Sequence, residues 1–347
     1  MSKHKKLKVG ITCGDINGIG VEVILKALSD SRVYDHCTPI IYASQELVKH
    51  QKHELKLEGF HFHSIDSAEH ADANKVNVLN VWKETVNLEF GQSTTTGGEY
   101  AFKSLKAAVE DIASTKIDVL VTAPINKKNI QSEEFSFPGH TEFLAAYANE
   151  ENPLMILAHN NLRVAVATGH IAVEDVASRL TPDLILTKLR VFAKSLTQDF
   201  GIHRPKIAVF GLNPHNGDAG LMGDQESKII LPAIVNAKEE GILAFGPFPA
   251  DGFFGSPNRN NFDGILAMYH DQGLAPFKAL AFEEGVNFTA GLPIVRTSPD
   301  HGVAYDIAGK GIASETSLRQ AILAACDIAN ERMHYKEISS NPLPVSI

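Results

Sequence analysis

The chain has 347 residues, of which 44% are hydrophobic and 21% are charged. This composition is that of a globular protein, and the length favours two domains. The formal net charge of −9 argues against nucleic acids and anionic membranes as partners, because both favour a basic surface. An anionic ligand would therefore need a local group of cations within this acidic chain.

The cysteines and the apolar runs indicate the compartment. Cys13, Cys37 and Cys326 are odd in number, widely spaced and form no CxxC pair, which predicts reduced thiols. The basic first residues lead directly into a strand-like run without an apolar signal core. The apolar runs are far shorter than the roughly 20 residues that span a bilayer. We therefore expect a cytoplasmic protein that is not embedded in a membrane.

Short β-branched runs alternate with longer segments of helical periodicity. The predicted strands are Leu7–Thr12, Pro39–Ala43, Val76–Val81, Asp118–Thr122, Arg163–Ala167, Lys206–Phe210, Ile242–Phe245 and Gly264–Tyr269. The predicted helices are Val21–Leu28, Tyr100–Ser114, Glu142–Asn149, Pro182–Leu196, Glu226–Glu239 and Ser317–Glu331. This alternation predicts an α/β protein with mainly parallel sheets. The tail after Met333 carries two prolines and little pattern, so we expect a loose end there.

Polar, glycine-containing segments stand between these elements and are predicted to be strand-to-helix loops. They are residues 122–127 (TAPINK), 137–143 (FPGHTEF), 168–171 (TGHI), 211–218 (GLNPHNGD), 246–254 (GPFPADGFF), 269–278 (YHDQGLAPFK), 287–298 (NFTAGLPIVRTS) and 301–311 (HGVAYDIAGKG). Ligands of α/β sheets bind beyond the carboxyl ends of the strands. The segments together therefore predict one ligand site.

Three histidines in these segments are candidate metal ligands. His170, His215 and His270 each follow or cap an apolar run. Three imidazoles at strand ends suit a divalent ion such as zinc, with open positions for substrate oxygens. Hydrogen-bonded loop histidines are the alternative, because the spacing is too long for a local ligand pair. Asp271, next to His270, would orient a ligand or bind the ion directly.

A second group of residues is able to hold anionic oxygens: His140, Thr141, Lys278, Asn287 and Arg296. Lys278 ends an otherwise apolar predicted loop, where its charge would be costly without a matching anion. Arg296 follows an apolar run and carries a planar guanidinium suited to phosphate or carboxylate. A salt bridge to an acidic side chain is the alternative for each cation.

The glycine-rich segment 14–20 (GDINGIG) links a predicted strand to a predicted helix. It does not match GxGxxG in register and lacks the Lys-Ser/Thr of a P-loop, which favours a tight turn over a dinucleotide fingerprint. If the chain binds NAD, the better candidate is the segment 301–311. Glycines such as Gly302 would permit close backbone approach there, and Asp306 would accept a hydrogen bond from a ribose hydroxyl.

Together the segments resemble a known family. TAPINK, FPGHTEFL, TGHI, GLNPHNGD, GPFPAD and YHDQGLAPFK, followed by VNFTAGLPIVRTSPDHG, are similar to 4-hydroxythreonine-4-phosphate dehydrogenases of vitamin B6 biosynthesis, from about Lys8 to Ala329. HGVAYDIAGKG is similar to the cofactor loop of isopropylmalate dehydrogenases. The resemblance implies a two-domain α/β/α sandwich of the isocitrate/isopropylmalate dehydrogenase-like type, not a Rossmann fold. Residues 1–135 and 297–347 would form one domain and residues 136–296 the other, with the active site in the cleft between them.

The resemblance also implies the chemistry. NAD or NADP would oxidise 4-phosphooxy-L-threonine, and decarboxylation would give 3-amino-2-oxopropyl phosphate for pyridoxine 5'-phosphate biosynthesis. A divalent metal (Zn, Co, Mn or Mg) would be bound by His170, His215 and His270, and one of these ligands would come from the partner chain of a homodimer with a shared active site. The implied substrate contacts are His140, Thr141, Lys278, Asn287 and Arg296. Lys278 and Asp251 are candidates for the proton acceptor.

Other functions stay open at this point. A related dehydrogenase would act on another phosphorylated four-carbon hydroxy acid, a metal-dependent hydrolase would need no NAD, and a sensor would bind without turnover. The chain also departs from the family pattern. Its first turn lacks both usual prolines, Leu221 replaces a usual histidine, and Gly252 replaces a usual threonine. None of these changes affects an implied ligand.

Overall fold

The computed structural model describes residues 6–341, and residues 1–5 and 342–347 lie outside this range. The strands, in chain order, are β1 (Leu7–Thr12), β2 (Cys37–Ala43), β3 (Phe62–Ile65), β4 (Val76–Asn80), β5 (Val119–Thr122), β6 (Leu154–His159), β7 (Leu162–Val166), β8 (Lys206–Phe210), β9 (Leu243–Phe248), β10 (Gly264–Ala267), β11 (Val286–Ala290) and β12 (Arg296–Pro299). The helices are α1 (Gly20–Leu28), α2 (Val33–His36), α3 (Gln45–Glu54), α4 (Thr95–Ala113), α5 (His140–Tyr147), α6 (Val176–Arg179), α7 (Pro182–Gln198), α8 (Leu231–Glu239), α9 (Ala250–Phe253), α10 (His270–Ala281) and α11 (Thr316–Ser339). A π-helical turn, Glu226–Ile230, precedes α8. The alternation confirms the predicted α/β class.

Several of the segments predicted to be loops contain regular elements. Residues 140–143 lie in α5, and residues 246–254 include the end of β9 and all of α9. Residues 270–278 lie in α10, although Gly273 and Pro276 are typical helix breakers. Gly273 is required by close packing, because a Cβ there would lie 3.0 Å from the side chains of Ala267 and Val164. The prediction for residues 287–298 was also wrong, since they include most of β11 and the start of β12. The polar Asn, Thr and Arg residues in these two strands interrupt the apolar pattern by which strands were predicted.

The end of the described chain is also more ordered than predicted. Residues after Met333 were expected to be loose, but α11 continues to Ser339. The two prolines behind that expectation, Pro342 and Pro344, lie outside the described residues. Within residues 6–341, no helix has the length and apolarity needed to cross a bilayer.

The chain forms two compact units. Among the described residues, unit 1 comprises residues 6–144 and 293–329. Its strands pair in the order β3-β4-β2-β1-β5-β12, and the pairings are parallel. All seven residues of β2 are buried, which explains a strand without polar alternation. Helix α4 packs against β1, β2 and β5. It begins where the Thr94 hydroxyl accepts a hydrogen bond from the backbone N–H of Gly97.

Unit 2 comprises residues 145–292 and 330–341 of the described chain. Its strands pair in the order β11-β6-β7-β10-β8-β9. The pairs β11–β6 and β6–β7 are antiparallel, and the remaining pairs are parallel. Helix α10 packs on β7 and β10. Its buried face, Leu274 and Phe277, joins a core that includes Phe210 and Phe253. Three parallel strands therefore end near the segments that carry the candidate histidines.

Candidate active site

A group of charged residues surrounds the buried Arg296 in unit 1, at the start of β12. Arg296 is the first residue of this strand and is only 3% exposed. Its Nε donates a hydrogen bond of 3.0 Å to Oγ1 of Thr122, the last residue of the neighbouring strand β5. Burial lowers the pKa of Arg296 from 12.5 to about 10, and the negative charge of Glu142 opposes this effect. The guanidinium is therefore still charged at neutral pH, with its orientation fixed by the sheet.

His140 is the first residue of α5 and lies close enough to Arg296 and Lys127 to be affected by their charges. Burial, and then the positive charges of Arg296 and Lys127, hold its pKa well below the ordinary value of 6.5. The imidazole is therefore neutral at neutral pH. Its Nε2 is buried and makes no hydrogen bond within residues 6–341. Because buried polar atoms in proteins are nearly always paired, this nitrogen marks a position for a ligand atom. Thr141 follows in the same first turn and is half-buried.

In unit 2, two of the three candidate metal ligands lie side by side. His170 follows β7, His270 begins α10, and their ring centroids are 5.7 Å apart. Both line a cavity of about 250 Å³ together with Tyr269 and Asp271. His270 Nδ1 lies 2.7 Å from Oδ1 of Asp271. The carboxylate is therefore placed to fix the tautomer of this imidazole, as carboxylates next to metal-binding histidines commonly do.

His215 lies in a strained segment after β8. The residues from His215 to Ala219 all have positive φ, between 44° and 77°, and only Gly217 among them is a glycine. This conformation costs roughly 1–2 kcal/mol for each residue with a Cβ, so the surrounding structure must hold it. His215 lines a second cavity, of about 460 Å³, with Asp251, Tyr269 and Gln272. Tyr269 thus contributes to both histidine-lined cavities.

The donor types fit a divalent cation such as zinc, because imidazole nitrogen is one of its preferred ligands. The fit within one chain is partial. Among residues 6–341, no group of three His, Cys, Asp or Glu side chains comes close enough to hold an ion. The pair His170–His270 provides two donors at most, and further donors would have to join them.

The remaining predicted residues are distributed over several elements. Asp251 lies in α9 and lines the cavity of His215. Lys278 lies in the third turn of α10 and is half-buried. Asn287 lies in β11, where its Oδ1 is buried and accepts no hydrogen bond from the described part of the chain. Neither Lys278 nor Asn287 is among the residues that line the two histidine cavities.

The candidate cofactor segment, residues 301–311, lies in unit 1 and leaves Gly302 and Asp306 exposed. It is anchored by Tyr305, whose hydroxyl donates a hydrogen bond of 2.6 Å to Oδ2 of the buried Asp15. Burial, and then this hydrogen bond, raise the pKa of Tyr305 to about 12. Asp15 belongs to the GDINGIG segment, which joins β1 to α1 as the predicted tight turn. The buried carboxylate therefore connects that turn to the candidate cofactor segment.

Five residues of these sites were not assigned a role by the sequence: Asp15, Thr122, Lys127, Glu142 and Tyr305. Four of them lie inside segments that the sequence did single out as functional, and Asp15 lies in the glycine-rich turn. The segments were therefore visible in the sequence. The sequence did not reveal that Thr122 pairs with Arg296 or that Asp15 pairs with Tyr305, because these partners are 174 and 290 positions apart.

Comparison with known proteins is consistent with this geometry. Residues 35–325 match the family "Pyridoxal phosphate biosynthetic protein PdxA". A 4-hydroxythreonine-4-phosphate dehydrogenase of Bacteroides thetaiotaomicron is 52% identical over 342 residues, which cover 98% of this chain and 94% of that protein. A D-threonate 4-phosphate dehydrogenase of Cupriavidus necator is 38% identical and covers 93% of this chain and 98% of its own length.

Solved structures support the same assignment. A 4-hydroxythreonine-4-phosphate dehydrogenase from Klebsiella pneumoniae matches with a TM-score of 0.81 and 33% identity, covering 94% of this chain and 99% of that one. An isocitrate dehydrogenase from Methylococcus capsulatus matches with a TM-score of 0.50 and 13% identity over 96% and 89% of the two chains, which shows the fold alone. The fold is thus of the predicted isocitrate/isopropylmalate dehydrogenase-like type. Its relatives by sequence are dehydrogenases, and the chain belongs to the pyridoxal phosphate biosynthetic protein PdxA family.

Proposed function

We propose that this protein is a metal-dependent NAD dehydrogenase that converts 4-phosphooxy-L-threonine into 3-amino-2-oxopropyl phosphate in pyridoxine 5'-phosphate biosynthesis. NADP is the alternative cofactor. The proposal is supported by the 52% identity to a 4-hydroxythreonine-4-phosphate dehydrogenase over nearly the whole chain. The structural observation that carries it is the buried Arg296 with the half-buried His140 and the exposed Lys127 beside it, because such a group suits an anionic substrate.

The anionic end of the substrate would bind at this group. Arg296 is charged and buried, and a unit-charge pair at about 4 Å is worth roughly 4 kcal/mol at an effective dielectric near 20. The neutral His140 would donate or accept one hydrogen bond through Nε2. Thr141, Lys278 and Asn287 are proposed as further substrate contacts. Asn287 Oδ1 is a buried acceptor that would suit a substrate N–H or hydroxyl.

His170, His215 and His270 are proposed to bind the divalent metal (zinc, cobalt, manganese or magnesium). When bound, such an ion would lower the pKa of the substrate hydroxyl and stabilise the negative charge that develops on the ketone oxygen during decarboxylation. One ligand is proposed to come from the partner in a homodimer. Two observations support this: one chain brings only two of the rings together, and Val173 and Leu221, next to the ligand segments, are 76% and 80% exposed.

In the proposed reaction, hydride leaves C3 for the nicotinamide and the hydroxyl proton passes to a base of the protein. The resulting 3-keto acid loses carbon dioxide, and a proton returned to the carbon gives the product. Asp251 and Lys278 are the proposed proton carriers. Asp251 shares a cavity with His215, which supports a role close to the metal ligands.

The dinucleotide is proposed to bind along residues 301–311, with Gly302 allowing close approach and Asp306 accepting from a ribose hydroxyl. A cavity of about 600 Å³ in unit 1 supports this placement, because it is lined by the aromatic side chains of Trp82 and His50. His50 stacks on Phe90, with ring centroids 6.4 Å apart, and a Cβ at Gly309 would lie 2.9 Å from Phe90. Phe90 therefore lies next to both the candidate segment, at Gly309, and the cavity, at His50.

A second candidate substrate is D-threonate 4-phosphate, which carries a hydroxyl in place of the amino group. The relative at 38% identity favours it, because the name of that protein specifies this compound. Both candidates present a phosphate, a carboxylate and a hydroxyl to be oxidised.

The experiment is an assay of the purified protein with NAD or NADP and each of the two substrates, with and without a chelator. We expect absorbance at 340 nm to rise fastest with 4-phosphooxy-L-threonine and NAD, and to stop after chelation. No increase with either substrate in the metal-loaded protein would refute the proposal. Phosphate release without NADH would indicate a hydrolase, and a melting shift without turnover would indicate a sensor.

A further inference from the structure

The segment that carries His215 needs support from outside itself. From His215 to Ala219 the backbone makes a left-handed turn, which residues with a Cβ adopt only when their surroundings impose it. Asn216 helps from within, since its Nδ2 donates a 2.8 Å hydrogen bond to the carbonyl of Pro247. The position of the His215 ring depends on whatever holds the base of this turn.

A buried carboxylate holds that base. Glu226 is 6% exposed, and its Oε1 accepts hydrogen bonds of 2.7 Å from the backbone N–H groups of both Leu212 and Asn213. Its Oε2 accepts a third, of 3.0 Å, from Nδ2 of Asn213. Glu226 opens the π-helical turn before α8, a rare conformation that is frequent at functional sites.

The loop closes tightly around this carboxylate. A Cβ at Gly217 would lie 2.8 Å from Oε2 of Glu226, and one at Gly211 would lie 3.1 Å from Oε1. A side chain at Gly211, before His215, or at Gly217, after it, would therefore crowd the Glu226 carboxylate. A change at Glu226 would be transmitted directly to the backbone on both sides of His215.

A second side chain ties the same loop to the segment of His270. Gln272 Nε2 donates a 2.7 Å hydrogen bond to the carbonyl of Gly211, at the base of the His215 loop. Its Oε1 accepts a 2.7 Å hydrogen bond from the backbone N–H of Met268, two residues before His270. One amide thus links two of the three candidate histidine segments of unit 2, those of His215 and His270.

From these contacts we infer that Glu226 and Gln272 are positioning residues for the metal site: their hydrogen bonds fix the backbone that carries His215. This inference rests on the proposed function, because it assumes that His215 is a ligand. A residue of this kind is expected to change metal affinity in a protein that is still folded. Changing residues that orient metal ligands typically weakens binding by about 10- to 100-fold.

The test compares metal-binding constants of full-length Glu226→Gln and Gln272→Met with those of the wild type. Zn²⁺ affinity is measured by competition with a coloured chelator, and folding by thermal unfolding of the metal-free protein. Glu226→Gln keeps the shape but turns an N–H group toward Asn213, and Gln272→Met removes both hydrogen bonds. We expect each to weaken Zn²⁺ binding about 10-fold or more. Glu239→Gln, at an exposed position on α8, is the matched control and should bind as the wild type does.

The outcomes separate the inference from the proposed function. If His215→Ala loses Zn²⁺ affinity while both positioning variants bind within twofold of the wild type, the inference is overturned and the metal site stands. If wild type and His215→Ala bind Zn²⁺ equally, the proposed metal role itself fails. Should Glu226→Gln not fold, Gln272→Met decides alone. A purely structural role would lower the unfolding temperature and leave the binding constant unchanged.

Discussion

The two candidate subsites differ in how far the chain builds them. In unit 1, Arg296 is buried and His140 is half-buried with a buried Nε2, and strand pairing and a helix start fix their positions. In unit 2, His170 and His215 are exposed, and His215 lies on a strained backbone. The group proposed to bind the substrate's anion is therefore held mainly by its own sheet and helix. The histidines proposed as metal ligands have fewer such supports within the described residues.

This difference has an energetic meaning. Burying charged and polar groups is unfavourable unless they are paired, so a buried Arg296 is expected to lower the stability of the protein when no anion is bound. The histidines, being largely hydrated, carry little such penalty. Changes in the first group should therefore alter both binding and stability, whereas changes in the second should alter activity with little effect on folding.

The largest effect is expected for His215→Ala. Removing one of three proposed ligands should lower kcat/KM on the order of a thousandfold, the loss seen when one key charge-stabilising group is removed. The exposed ring makes few packing contacts, so the unfolding temperature should stay close to that of the wild type. Steady-state rates with saturating Zn²⁺ and a melting curve check both points. The exposed His203→Ala is the control. Near-normal turnover in His215→Ala would show that the open histidine group is not the metal site.

A smaller effect, and a different one, is expected for Arg296→Gln. Loss of a buried charged contact with the substrate should weaken binding by about 3 kcal/mol, roughly two orders of magnitude in KM, with a smaller change in kcat. Initial rates over a wide substrate range separate the two constants. Arg190→Gln, which removes an exposed arginine paired with Glu240, should leave both unchanged. A fall in kcat at constant KM would contradict an anion-binding role.

How much of this was visible in the sequence depends on the range of the interactions. β1 and β8 were predicted at their true bounds, because buried parallel strands are continuous apolar runs. Helix α10 was missed because Gly273 and Pro276 are accepted there only through packing on β7 and β10. β11 and β12 were missed because polar residues such as Asn287 and Arg296 interrupt their apolar runs, and the strands that pair with them are distant in the sequence.

The same limit applies to the candidate site. The histidine segments and the RTS segment stand out by composition. The residues that hold these segments in place do not stand out in the sequence. The hydrogen bonds of Glu226 join residues 13 and 14 positions apart, and that of Tyr305 joins residues 290 positions apart. Local sequence patterns therefore identified the residues proposed to contact ligands, but not the residues proposed to position them.

A third change tests whether the cofactor segment of unit 1 is as fixed as the anion group. Tyr305→Phe removes the hydrogen bond to the buried Asp15, which should destabilise the protein by about 1–2 kcal/mol. If residues 301–311 bind the dinucleotide, KM for NAD should rise several-fold while KM for the substrate stays constant. Tyr335→Phe is the control, because the hydroxyl of Tyr335 donates no hydrogen bond within residues 6–341. Equal increases in both KM values would point to a general loss of structure.

The smallest expected effect is a pH dependence of the free energy of unfolding that arises from His140. The folded-state pKa of His140 is depressed well below 6.5, so below that pH the unfolded chain takes up a proton that the native state does not. His140 should therefore contribute no instability above about pH 7 and should destabilise the protein progressively as pH falls below 6.5. The free energy of unfolding should therefore be lower at pH 5.5 than at pH 7.5, by an amount on the order of 1 kcal/mol.

Denaturant titrations of wild type and His140→Gln at these two pH values measure the loss, which should be absent from the variant. His203→Gln, at an exposed position, should behave as the wild type. Inorganic phosphate sharpens the test. An anion held beside His140 offsets the positive charges of Arg296 and Lys127, so it should raise the folded-state pKa and reduce the loss at pH 5.5. If phosphate leaves the pH dependence of stability unchanged, no anion binds beside His140 and Arg296, and the proposed substrate-binding role of these residues fails.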